Sequence, residues 1–101
     1  MNINEYEDFI KRSSFYRKIP MTKLVYPALA MAGEAGEFAN YVKKTMRGDF
    51  TVEEVKKELV LELGDVLFYI IACGQDIGVS IQEIVDANVE KLRVRQASKI
   101  G

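Results

Sequence analysis

Histidine is absent from this chain of 101 residues. No imidazole can act as a general base or a metal ligand. Whatever chemistry the protein performs must run through carboxylates, amines, guanidinium groups, hydroxyls or one thiol. That thiol, Cys73, has no second cysteine to pair with. An intrachain disulfide is excluded, and a reducing, cytoplasmic setting fits. In its apolar run Cys73 reads as a small core residue. An excess of one charge is missing too: 14 Lys and Arg stand against 15 Asp and Glu. No basic field therefore points to nucleic acid or an anionic membrane as a partner. The longest apolar run, VLFYIIAC over 66–73, is far short of the roughly 20 residues a membrane helix needs. MNINEYEDF at the N-terminus is polar and acidic, unlike a secretory signal. The glycine-rich phosphate loop ending in Gly-Lys-Ser/Thr is also absent.

What is present reads as helix throughout. Asn4 and Glu7 have the spacing of a capping box, with Tyr6, Phe9 and Ile10 following at helical intervals. This predicts a first helix over 4–15. Arg17 to Pro20 interrupts the pattern, and a second helix starts near Thr22 and runs to Arg47, before Gly48-Asp49. Pro27 either kinks it or marks a second start. Thr51 with Glu54 opens a third helix over 52–77, ended by Gly78. Ser80 with Glu83 opens a fourth over 80–96. The fold class expected is all-α, one domain over 1–101, with short connections that favour antiparallel hairpins in a bundle. A chain this short buries only about two-thirds of its unfolded surface, so completion by oligomerisation is expected.

The carboxylates sit oddly on these helices. Leu24, Ala28, Met31, Ala35, Phe38 and Val42 alternate four and three apart, which predicts the core seam of the second helix. At roughly 100° per residue, Glu34 and Glu37 fall well off that seam, with Lys23, Pro27, Ala30 and Tyr41. On the third helix, Leu59, Leu63, Val66, Ile70 and Ile77 define an apolar side, extended by Val60, Leu67 and Ile71. Glu54, Glu58, Glu62, Asp65 and Asp76 form the opposite stripe. Like charges three or four apart repel, and more so when desolvated. Lysine and arginine could compensate in solvated salt bridges, or a metal ion could.

Hard divalent cations take oxygen ligands, and two E-x-x-(E/D) pairs on antiparallel helices can converge four carboxylates on one point. Without histidine, an all-carboxylate Mg²⁺ or Mn²⁺ site fits better than a redox di-iron centre, which typically uses two E-x-x-H motifs. An acidic metal cluster suggests phosphate chemistry. Basic partners for phosphate would come from Lys43, Lys44 and Arg47 at the end of the second helix. Asn88, Lys91 and Arg95 share one face of the fourth, where positive charge near a helix C-terminus is an alternative explanation. Glu37 and Glu58 are both candidates to orient a water or take its proton. Tyr41 or Tyr69 could border a base, although aromatics at this spacing commonly serve packing. Gly33 and Gly36 suggest close approach of another helix or of substrate.

GEAGEF at 33–38, the 24 residues between Glu37 and Glu62, and ELGDVLFY at 62–69 together resemble the MazG family of nucleoside triphosphate pyrophosphohydrolases. ANVEKLRVR at 87–95 is similar to a third signature stretch of that family, with Asn88 and Lys91 in matching places. The resemblance covers about residues 22 to 96 and looks closest to the compact, phage-type, single-domain members. It implies helical hairpins assembled into homo-oligomers, with a tetramer built as a dimer of dimers favoured over a dimer. It implies Mg²⁺, with Mn²⁺ as substitute, on Glu34, Glu37, Glu62 and Asp65, and phosphate contacts from Lys44, Asn88, Lys91 and Arg95. The implied reaction cleaves a (deoxy)nucleoside triphosphate, dGTP being the first guess, to the monophosphate and pyrophosphate. The setting would be the cytoplasm, the host's if the chain is phage-encoded. A phosphoribosyl-ATP pyrophosphohydrolase and a non-catalytic helical oligomer remain as alternatives.

Overall fold

The computed structural model describes the backbone of residues 1–100 and the side chains of 1–98. Four α-helices follow one another: α1 (Ile3–Ser13), α2 (Val25–Arg47), α3 (Val52–Asp76) and α4 (Ile81–Ile100). A 3₁₀ turn over Phe15–Lys18 lies between α1 and α2, and no strand occurs among the described residues. No described helix is long and apolar enough to cross a membrane.

Local chemistry sets the ends. The Thr51 hydroxyl accepts from the Glu54 N–H while Glu54 returns a bond to the Thr51 N–H, closing the expected capping box of α3. The box of α1 is displaced from the expected one: Asn2 and Glu5 form it, not Asn4 and Glu7. Both pairs have the right spacing, and the outer one adds a half turn of helix. Ser80 accepts from the Glu83 N–H at the head of α4. Gly48 ends α2 at φ 89°, a left-handed position where a Cβ would be strained. Pro27 lies in the first turn of α2, where its missing N–H costs nothing, so it marks a start and not a kink.

α2 and α3 form the antiparallel hairpin that dominates the tertiary contacts, and α1 docks on the C-terminal end of α3. The core lies there: Ile10, Tyr16, Ile71 and Ala72 are fully buried, with Tyr6, Tyr26, Phe68 and Ile81 packed around them. Gly74 completes this end, because a Cβ would stand 3.0 Å from Ile84 Cδ1 and 3.2 Å from the Val79 carbonyl. α4 touches the rest only near its first turn, and its side chains from Val85 to Ser98 are exposed.

The faces of the hairpin match the expectation only in part. On α2, Pro27 is buried and Ala30, Glu34 and Tyr41 are half-buried; Ala28, Met31 and Phe38 of the expected seam are half-buried too, while Leu24 and Val42 are 42% and 38% exposed and Ala35 is exposed. On α3, Leu59, Val66, Ile70 and Ile71 of the expected apolar side are buried or half-buried, and Val55, Glu62, Tyr69 and Asp76 are as well. Leu63, Val60 and Ile77 face outward. Of the carboxylate stripes, Glu34, Glu62 and Asp76 are therefore buried or half-buried, while Glu37, Glu54, Glu58 and Asp65 are exposed. A helical wheel ranks faces by hydrophobicity and cannot say which apolar face meets its own chain.

Candidate carboxylate centre

Glu34 on α2 and Glu62 and Asp65 on α3 each bring a carboxylate oxygen into one cluster, all within 4.8 Å of one another. Glu34 and Glu62 are half-buried and Asp65 is exposed, so the cluster has a wet side and a dry side. On the dry side Glu62 Oε2 is buried with no hydrogen-bond partner. A buried carboxylate oxygen without a donor is costly, and such an atom calls for an explanation. Ionised neighbours cannot help, since carboxylates only accept. Glu34 responds accordingly: burial first, then a hydrogen bond shared with Glu62, then the charges of Asp65, Glu37 and Glu62 push its carboxyl up to about 7. The only ion pairs among the described residues, Arg17–Asp76 and Arg47–Asp49, lie elsewhere. A proton or a cation is the remaining way to satisfy these oxygens, and three hard oxygen donors suit a divalent ion such as Mg²⁺.

Glu37 lies one turn beyond Glu34, is exposed, and adds to the field that raises it. It also lines a groove of about 490 Å³ with Gly33, Gly36, Asn40, Tyr41 and Lys44. Lys44 is thus brought to the same side of α2 as Glu37. Gly33 and Gly36 have nothing within 4 Å of a built Cβ, so no other helix of this chain explains them. Glu58 is exposed on α3, one turn before Glu62. Asn88, Lys91 and Arg95 stand on the exposed length of α4, and none of the described ion pairs joins Lys91 or Arg95 to the cluster.

Two tyrosines beside the cluster went unnoticed in the sequence. Tyr6 of α1 has its phenol raised by burial first and by the charge of Asp65 second, which puts it in the field of the cluster. Tyr26 of α2 lies 6.5 Å, ring to ring, from Tyr69 of α3. Tyr69 in turn is raised by burial, then by Tyr26, Glu34 and Asp65. Nothing in the spacing of Tyr6 could reveal this, because α1 reaches the hairpin through tertiary docking.

A model of the MazG nucleotide pyrophosphohydrolase domain matches residues 27–99, taking in both carboxylate pairs and most of α4. The chain belongs to the MazG family. Its four-helix architecture and the pairing of E-x-x-E on α2 with E-x-x-D on α3 agree with that membership. This MazG chain is also similar to the gene 37 protein of Mycobacterium phage L5, at 36% identity over 75 residues. That stretch covers 72% of the chain and 66% of the phage protein, just under two-thirds of its length. No solved structure matches the chain at a significant level.

Proposed function

We propose that this MazG domain hydrolyses a (deoxy)nucleoside triphosphate between the α and β phosphates, giving the monophosphate and pyrophosphate, with Mg²⁺ or Mn²⁺ as cofactor. The observation that carries this reading is the cluster of Glu34, Glu62 and Asp65, with carboxylate oxygens within 4.8 Å of one another and Glu62 Oε2 buried without a partner. Those three carboxylates, with Glu37 at the rim, would hold the ion. When bound, it would neutralise phosphate charge and make a water more acidic. Lys44 would pair with a phosphate oxygen, a charge-assisted contact that gains strength as charge builds on the leaving pyrophosphate. A carboxylate in or beside the cluster would orient the attacking water and take its proton. Glu37 is favoured over Glu58 for that task, or for sharing it, because it lines the same groove as Lys44.

Asn88, Lys91 and Arg95 would reach phosphate or sugar only from a second copy of the chain or after α4 repacks. A homo-oligomer, with a dimer of dimers favoured, is supported by apolar residues left on the outside of the hairpin: Leu29, Val60, Leu61 and Leu63. It is also supported by a radius of gyration of 16.7 Å, against about 13 Å for a compact domain of about 100 residues. The setting would be the cytoplasm, where nucleotide pools lie.

The test is a screen of all common dNTPs and NTPs with Mg²⁺, reading pyrophosphate, with dGTP tried first and phosphoribosyl-ATP included. Pyrophosphate from a free nucleotide supports the reading. Release from phosphoribosyl-ATP alone assigns the alternative enzyme. Release from none, with no Mg²⁺ binding, leaves a non-catalytic helical oligomer.

A further inference from the structure

The α1–α2 connection ends in an unusual way. Leu24, not a glycine, has φ 62° and ψ −46°, and the Val25 N–H donates across it to the Lys23 carbonyl at 2.7 Å. This is a γ-turn of the rare, strained hand. Met21, three residues earlier, also has a positive φ of 66°. Strained backbone persists only where the surroundings over-determine it.

What determines it here is one carboxylate. Asp76, the last residue of α3, has a side chain only 2% exposed. Its Oδ2 accepts from the Leu24 N–H at 2.8 Å and from the Tyr16 hydroxyl at 2.7 Å. Its Oδ1 accepts from Arg17 Nε at 2.7 Å. Arg17 is held in turn by the Ala72 carbonyl and Gln75 Oε1. The first residue before α2 is therefore bolted to the last residue of α3.

The two helices run antiparallel from that bolt. Glu34 lies ten residues from Leu24, and Asp65 lies eleven residues from Asp76. At a rise of 1.5 Å per residue these are axial distances of about 15 and about 16.5 Å. The bolt thus sets the level at which Glu34 meets Asp65 and Glu62. The cluster itself cannot set it, because its like charges push the helices apart.

We propose that Asp76 is a positioning residue for the carboxylate centre: its bond to the Leu24 N–H fixes the axial register of α2 on α3 and so assembles the metal ligands. This rests on the metal-centre reading above, and the experiment separates the two. Mn²⁺ alone is titrated into the full-length protein, with free Mn²⁺ read by electron paramagnetic resonance. The variants are Asp76→Asn, the milder Tyr16→Phe, and Val55→Ala as a control that loosens the same hairpin far from the bolt. Nuclear Overhauser contacts between the Tyr26 and Tyr69 rings report the register without any metal.

Asp76→Asn is expected to weaken Mn²⁺ binding about ten-fold, as loss of a supporting partner does, with Tyr16→Phe between it and wild type. The Tyr26–Tyr69 contacts should fade in the same order. Val55→Ala should lose thermal stability yet keep both readouts. If Asp76→Asn and Tyr16→Phe retain the ring contacts, or weaken Mn²⁺ no more than Val55→Ala does, the positioning role is overturned. If wild type binds no Mn²⁺, the metal reading fails, while the ring contacts still decide the register claim.

Discussion

Glu34 and Glu62 meet across the α2–α3 seam with Asp65 beside them, and no lysine or arginine of the described residues forms an ion pair with any of the three. A hairpin selected for stability alone would not place two half-buried carboxylates face to face. The arrangement costs stability when empty, and that cost is measurable.

Glu34→Gln is expected to stabilise the metal-free protein above neutral pH. The folded state holds the Glu34 proton up to about 7, whereas the unfolded chain releases it near the ordinary value of 4.5. The folded state therefore binds more protons between those values, and stability falls as pH rises through that window. Thermal unfolding in chelator should show the variant gaining on wild type between pH 4.5 and pH 8. A gain on the order of 5 °C corresponds to about 1 kcal/mol for a domain of this size.

Mg²⁺ should raise the unfolding temperature at pH 8 and have little effect at pH 5. The ion and the proton compete for the same oxygens, and ligands that bind only the folded state stabilise it. Differential scanning fluorimetry at the two pH values checks this. An equal shift at both would place the ion away from Glu34.

Asp76 behaves in the opposite sense. Burial alone would raise its carboxyl, but the Leu24 N–H, the Tyr16 hydroxyl and Arg17 together hold it below the ordinary value of 3.8. Its contribution is present above that value and is lost as pH falls through the lower folded one. Asp76→Ala strands Arg17 and two donors, and should cost about 3 kcal/mol at pH 7. The difference from wild type should narrow under strong acid, as denaturant titrations would show.

Subunit mixing tests the role proposed for α4. Glu62→Gln and Lys91→Ala should each be inactive, or nearly so, as separate proteins. If α4 of one copy serves the cluster of another, unfolding and refolding them together should restore part of the activity. No recovery in a verified mixed oligomer would confine each site to one chain.

Helix type was legible in the sequence, and so were the helix ends with a local cause; α1 ends at Ser13 and not at 15, α2 starts at Val25 and not near Thr22, and α4 runs to Ile100 and not to 96. Thr51 with Glu54, Gly48, and Gly78 act over a few residues, and the bounds of α3 follow from them. Three of the four expected carboxylates, Glu34, Glu62 and Asp65, come together, and Glu37 stands exposed outside their cluster. The faces were legible only in part. Of the expected seam, Ala28, Met31 and Phe38 are half-buried and Leu24, Ala35 and Val42 are exposed, while Pro27, Ala30, Glu34 and Tyr41 of the other face also turn inward. Nothing in a single helix says whether an apolar face meets its own chain. Asp76 illustrates the same gap. It shares the acidic stripe with Glu54 and Glu58, which are exposed, and only the fold of Tyr16, Arg17 and Leu24 around it makes it a buried anchor.

The central claim is that Glu62, with its buried and unpartnered oxygen, belongs to a metal centre that cleaves nucleoside triphosphates. Pyrophosphate release by wild type and Glu62→Gln, with Mg²⁺ and the best substrate of the screen, tests it most directly. The account predicts a loss of roughly 10²-fold or more in the variant, with the helical spectrum intact and the metal-free unfolding temperature unchanged or higher. Hydrolysis by Glu62→Gln at the wild-type rate would contradict it.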